Sequence, residues 1–167
     1  MPLPLTELAA QLAALSPEAR AEAINAFSAG LDEHVGLAFT WCAEDRVEAT
    51  LTAEDRHTQV YGLVHGGLYC TMIEAVGSCG AALLHLPNRR LPVGVENRTR
   101  FLRAARAGAL LTAVGIPTEV TEHGSTWSVS VTDQSGTVCA EGQLLTRALP
   151  PGKTVGGAAL QLPEEAP

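Results

Sequence analysis

Between His57 and Asn88, Glu74 is the only residue with a formal charge at neutral pH, in a stretch that is otherwise mostly apolar. Burying a carboxylate without a partner is costly, so such a residue is paired, protonated or employed in chemistry. A partner across a protein interface would satisfy it with no chemistry at all. On a helix, positions 67, 71, 74 and 78 share one face, so Gly67, Thr71, Glu74 and Ser78 form a thin polar stripe. Such a stripe suits the wall of a small site, where a carboxylate attacks a carbonyl or takes a proton from water.

His65-Gly66-Gly67 open the same stretch. Paired glycines let the backbone approach a ligand closely. The first N–H groups of a helix are unpaired and lie at the positive end of its dipole, so they can polarise a carbonyl and hold the oxyanion that develops on it. A rise of about 1.5 Å per residue puts Glu74 roughly two turns below that point. That is too far to serve the same carbonyl, so Glu74 of a second subunit is the better candidate. His65 reads equally as a packing residue at the helix entry or as an orienting donor. Gln59, six residues before His65, is by itself an ordinary loop residue. Arg89, Arg90, Arg98, Arg100, Arg103 and Arg106 fall within 18 residues and are six of the 11 Lys and Arg, with Glu96 the only acid among them. In an acidic protein that local excess suggests a phosphate-bearing ligand, although a solvated strand face accounts for part of it.

These residues need elements to hold them. The apolar run predicts a long helix over 66–86, ended by Pro87-Asn88. Before it, strands are expected over 36–43 and 46–52, joined by a tight turn at Glu44-Asp45. After it come strands over 92–103, 110–120, 125–133 and 137–147, punctuated by Gly108, His123-Gly124 and Gln134-Ser135-Gly136. Val95, Asn97, Thr99 and Phe101 share a face, as do Trp127, Val129 and Val131. Residues 1–30 read as helical: Leu5, Leu8, Leu12 and Leu15 recur at helical spacing, and Ser16-Pro17-Glu18 opens a second helix that Gly30 can end. The expected organisation is a helical arm over 1–32, a domain over 33–148 and a flexible tail over 149–167 rich in Pro, Gly, Ala and Glu. Consecutive strands with short turns imply an α+β fold, an antiparallel sheet wrapped around one long central helix. A helix still apolar on its remaining side and a sheet with free edges invite a second copy of the chain.

The bulk properties exclude several classes. A chain of 167 residues suits one domain, and 46% hydrophobic residues argue against global disorder. The net charge of -7 argues against nucleic acid as a partner, and residues 1–30 hold only Arg20 as a base, which argues against a DNA-binding module. Cys42, Cys70, Cys79 and Cys139 form no CxxC pair and read as small buried thiols rather than as disulfides or zinc ligands. No basic segment followed by an apolar core opens the chain, so a reducing cytoplasm is expected. A lipid-facing helix would carry a heavy cost for Glu74, so no membrane partner is expected. No metal is expected, because no His/Cys/Asp cluster has ligand spacing.

The run from Gly62 through His65-Gly66-Gly67 to Glu74, then 93–103 and Gly108, resembles the hotdog-fold acyl-CoA thioesterases. It is most similar to the branch of the Arthrobacter-type 4-hydroxybenzoyl-CoA thioesterase and the phenylacetate-pathway thioesterases. The resemblance covers about residues 33–148 and rests on the spacing of nine from His65 to Glu74 together with the later strand motif. It implies hydrolysis of an acyl-CoA, an aryl-CoA favoured, to free acid and coenzyme A. Glu74 then matches the nucleophile or general base, and Gly66 the N–H that polarises the carbonyl. His65 and Gln59 match residues that support the thioester, and Ser78 one that positions water. Arg103 matches a contact to the coenzyme A phosphates, and Gly67, Thr71, Asn97, Arg89 and Arg90 are further substrate-binding candidates. Ser125 and Thr126 occupy a turn where members often carry a basic residue after the glycine, so their nucleotide contact departs from the pattern. No cofactor is implied, since coenzyme A is part of the substrate. A twofold dimer is the minimum assembly, with a homotetramer as a dimer of dimers. The rivals are a hotdog hydratase or dehydratase and a non-catalytic acyl-CoA-binding protein.

Overall fold

The computed structural model describes residues 10–151 and Lys153. The expected Leu5 and Leu8 of the arm, and the expected tail beyond Pro151 apart from Lys153, lie outside the described residues.

Ser16 caps helix α1 (Pro17–Ala26), its side chain accepting from Ala19 N–H at 3.2 Å, and Pro17 lies in the first turn. The helix stops at Ala26, earlier than the Gly30 expected from sequence. Phe27 N–H donates to Ile24 O and Ser28 N–H to Asn25 O, both at 3.1 Å, which tightens the last turn and closes it. Gly30 instead opens a short helix that the sequence reading lacks, α2 (Leu31–Val35), from φ 67. This helix straddles the 32/33 boundary drawn from sequence.

The β1 (Ala38–Cys42) and β2 (Val47–Thr52) strands form a hairpin, closed by paired bonds between Ala43 and Arg46. Then come α3 (Gly66–His85) and β3 (Leu91–Phe101), followed by β4 (Leu110–Thr121), β5 (Gly124–Asp133) and β6 (Val138–Leu149). All pairings are antiparallel, in the order β1-β2-β4-β5-β6-β3. The chain therefore leaves β2, crosses on α3 to the far edge as β3, and returns to place β4 beside β2. Period-two alternation buries Val47, Ala49 and Leu51 on β2 and Trp127, Val129 and Val131 on β5.

The α3 helix lies against β2 through β6, and missing side chains let it sit close. A Cβ on Gly80 would stand 2.3 Å from the Trp127 ring. Trp127 is fully buried, and its Nε1–H donates to Ser125 Oγ at 3.2 Å. Cys42 and Cys79 join β1 to α3 with Sγ atoms 3.7 Å apart as free thiols. The hydrogen bond with Cys42, and then burial, push the Cys79 thiol up.

Candidate active site

His65 is the N-cap of α3 and is fixed by its own backbone, His65 N–H donating to His57 O at 2.8 Å. Its Nδ1 accepts from Gly67 N–H at 2.9 Å, which assigns the proton of the neutral ring to Nε2 and makes that atom a donor. A Cβ at position 67 would stand 2.9 Å from the same Nδ1, so Gly67 is what admits the cap. Leu68 N–H bonds back to His65 O. Among the described residues Gly66 N–H has no acceptor, and it is the open donor at the positive end of the helix. The 58–64 loop brings Gln59 alongside through Gln59 N–H to Leu63 O at 2.8 Å. Its Oε1 accepts from Tyr61 N–H at 3.1 Å, leaving the NH2 group as a donor. Gln59, His65, Gly66, Phe101 and Arg103 line one open groove of about 590 Å³. That groove collects N–H donors and one guanidinium, with no carboxylate on its wall.

Glu74 lies two turns further along α3, half-buried. Asn97 of β3 donates from Nδ2 to Glu74 Oε2 at 3.2 Å and to Cys70 O at 3.1 Å, and is itself held by Thr99 Oγ1–H donating to Asn97 Oδ1. Ser78 Oγ–H donates to Glu74 Oε1 at 3.3 Å. Gly94 faces the carboxylate so closely that a Cβ there would stand 2.6 Å from Oε1. Glu74, Ser78, Thr71 and Asn97 line a second pocket of about 420 Å³ with Leu31 and Asp32 of α2. Burial pushes the Asp32 carboxyl up from its ordinary value of 3.8. Asp32 and Leu31 were missed from sequence because five residues carry too little helical periodicity to mark α2.

The other expected residues lie elsewhere. Arg89 and Arg90 follow the opposite end of α3, about 30 Å from Gly66 by helix rise. Arg90 Nη2 meets His123 Nδ1 of the β4–β5 turn at 3.1 Å. Ser125 is 3% exposed, and its hydroxyl meets Thr146 Oγ1 at 2.9 Å and Trp127 Nε1, so it is occupied inside the sheet. Thr126, half-buried, accepts through its carbonyl from Thr118 Oγ1–H. The chain thus brings together two clusters, one of donors at the helix mouth and one around Glu74, and leaves the β4–β5 turn apart from both.

An antiparallel sheet wrapped on one long central helix defines the hotdog class. The thioesterase superfamily model matches residues 61–140. Over 129 residues the chain is 32% identical to the proofreading thioesterase EntH of Cronobacter sakazakii, covering 77% of this chain and 93% of that one. It is 30% identical over 129 residues to the 1,4-dihydroxy-2-naphthoyl-CoA hydrolase of Escherichia coli K12, with the same coverage of 77% and 93%. The crystal structure of S. sahachiroi AziG superposes with a TM-score of 0.70 at 32% identity, over 73% of this chain and 98% of that one. The chain belongs to the thioesterase superfamily and is a thioester hydrolase.

Proposed function

We propose that the protein hydrolyses acyl-CoA thioesters in a site shared by two copies of the chain. The separation of a donor cluster from an acid cluster along one helix carries this reading. By helix rise Gly66 and Glu74 stand about 12 Å apart, so one thioester carbonyl cannot meet both in one chain. The β3 strand is an 11-residue edge with its outer side free among the described residues. Twofold pairing of that edge with its copy is necessarily antiparallel, and it sets the two α3 helices antiparallel beside each other. Glu74 of one chain then approaches the helix mouth of the other.

In that arrangement Gly66 N–H and the helix dipole stabilise the thioester oxyanion, with His65 Nε2–H and the Gln59 amide as neighbouring donors. Glu74, oriented by Asn97 and Ser78, attacks the carbonyl or activates water. Thr71 and Gly67 line the approach. Arg103 meets coenzyme A phosphates at the mouth, and the helix-end Arg89 and Arg90 of the adjoining chain extend the basic surface. An aryl acyl group such as 4-hydroxybenzoyl is favoured, in keeping with the aryl-CoA in the name of the Escherichia coli relative. No cofactor is needed beyond the coenzyme A of the substrate. Exposed Ile116, Val120 and Leu145 support pairing of dimers into a tetramer. Glu74→Gln tests the assignment. It keeps the fold and coenzyme A binding and loses about 10²–10⁴-fold in turnover in a thiol-release assay. Wild-type turnover in that variant would remove Glu74 from the mechanism.

A further inference from the structure

One wall of the donor groove is a single loop. Gln59, Tyr61, Leu63, Val64 and His65 all come from the segment between β2 and α3. Its tip is held from within: Tyr61 N–H donates to Gln59 Oε1 at 3.1 Å, and Gly62 N–H donates to Gln59 O at 2.9 Å. Val60 is 94% exposed and Tyr61 80%, so little packing steadies that tip. The direction in which Gln59 points is therefore set at the base of the loop.

The base closes on His57. His65 N–H donates to His57 O at 2.8 Å, and Thr58 and Val64 form an antiparallel bridge just inside that bond. Val64 N–H donates to Ala105 O at 2.9 Å, which ties the returning arm of the loop to the segment after β3. His57 itself ends one tight helical turn, Asp55–His57. Its ring folds back along that turn, Nδ1 accepting from Glu54 N–H at 2.9 Å, while His57 N–H donates to Glu54 O at 2.9 Å. Glu54 and His57 are thus joined twice, and the locked turn presents His57 O to His65.

Stability alone does not account for this side chain. With Nδ1 accepting, the neutral ring carries its proton on Nε2. His57 is 7% exposed, and its Nε2 has no partner among the described residues. A buried donor without an acceptor costs free energy that an apolar side chain of similar size would avoid. What an apolar side chain cannot supply is the acceptor for Glu54 N–H.

We propose that His57 is a positioning residue for thioester hydrolysis, whose ring locks the turn that holds the 58–64 loop closed and so aims the Gln59 amide at the thioester. His57 does not line the groove and acts through orientation alone. The inference rests on Gln59 being a donor to the substrate, as in the proposed function. Misplacing a catalytic group by about 1 Å can cost on the order of 10²-fold in rate, so a loop base two residues from Gln59 has the leverage required.

The test is kcat with benzoyl-CoA by thiol release, beside melting temperature, for wild type, His57→Asn, His57→Leu and His57→Ala. Each kcat is corrected for the folded fraction by circular dichroism at the assay temperature. Asparagine places Oδ1 where Nδ1 stands and keeps the acceptor, but gives up most of the ring and leaves a cavity. His57→Asn therefore melts lower than wild type and keeps kcat within about threefold. His57→Leu fills the space without the acceptor and loses about 10- to 100-fold in kcat. His57→Ala removes the acceptor without adding bulk, and stands in if leucine does not pack. A kcat in His57→Asn as low as in the apolar variants overturns the proposal, and so does wild-type kcat in the apolar variants. Gln59→Ala, alone and combined with the apolar variant, is the second arm. The double variant is expected to be only about as slow as the slower single variant, because both changes remove the same aimed amide. Losses that multiply, with Gln59→Ala itself slow, remove the role of His57 alone. Wild-type kcat in Gln59→Ala brings down the donor reading of Gln59 and this inference with it.

Discussion

At the residue scale the informative atom is the Gly66 N–H, because it can be removed with little else disturbed. Proline is tolerated at the first position of a helix, where its missing N–H costs no intrahelical bond. His65 already has φ -67 and ψ 133, the extended conformation that a residue before proline adopts. The nearest obstacle to a Cβ at 66 is the Phe101 ring, 3.1 Å away, and Phe101 is 59% exposed and free to shift. Gly66→Pro is therefore expected to keep its melting temperature close to wild type and to lose about 10²–10³-fold in kcat, the usual cost of one oxyanion donor. Loss of folding, or unchanged kcat, would contradict this. Two histidines outside the site set the pH response. Burial, then Arg56, lowers His57 from 6.5, Glu54 opposing; burial, then Arg90, lowers His85 from 6.5. Both favour the neutral ring when folded, so the unfolded chain takes up protons first. Stability from these two is full above the ordinary value and is lost as pH falls below it, whereas Asp32 acts in the opposite sense at lower pH. Melting temperature should fall between about pH 7.5 and 5.5; a flat or rising curve would refute this. Glu74 was legible in the sequence because a lone charge in an apolar run is a one-dimensional signal. Asn97, which orients it, was legible as a candidate, but its contact with Glu74 spans 23 residues and two elements and so could not be read locally.

At the element scale the long helix is defined by what it lacks. Gly80 meets Trp127 so closely that a methyl group there must displace a fully buried indole. Gly80→Ala should destabilise by about 1–3 kcal/mol despite the better helix propensity of alanine, measured as a lowered denaturation midpoint. A stabilised variant would mean that the contact is looser than the geometry implies. The strands and the helix were readable from periodicity and turn residues to within a few positions. The β5 alternation and the Pro87-Asn88 stop are local patterns. What escaped was α2, too short for periodicity, and the neighbour of β3. Sequence order suggests β3 beside β4, but β3 pairs with β6 at the far edge, a contact between residues some 39–58 positions apart that no local pattern marks.

At the scale of the whole molecule, the proposed sharing of the site between two copies makes activity a property of pairs. On that reading Glu74→Gln spoils the acid cluster and Gly66→Pro the donor cluster, so each variant alone is expected to be inactive. Subunits exchanged at equal amounts form half mixed dimers, each with one intact site, and activity returns to about a quarter of wild type by random assortment. No recovery after demonstrated exchange would place both clusters in one chain's own site. The strand order also governs how the molecule is made. β2 waits for β4, since Val47 pairs with Gly115, and β3 waits for β6, since Leu91 pairs with Leu149. Pairings this distant in the chain make folding slow. A ribosome adding about 5–20 residues per second has finished α3 several seconds before it supplies the last strand that covers it. During that interval the apolar face that will grip the sheet is open to any other nascent chain, so the yield of folded protein depends on how quickly residues 86–149 follow.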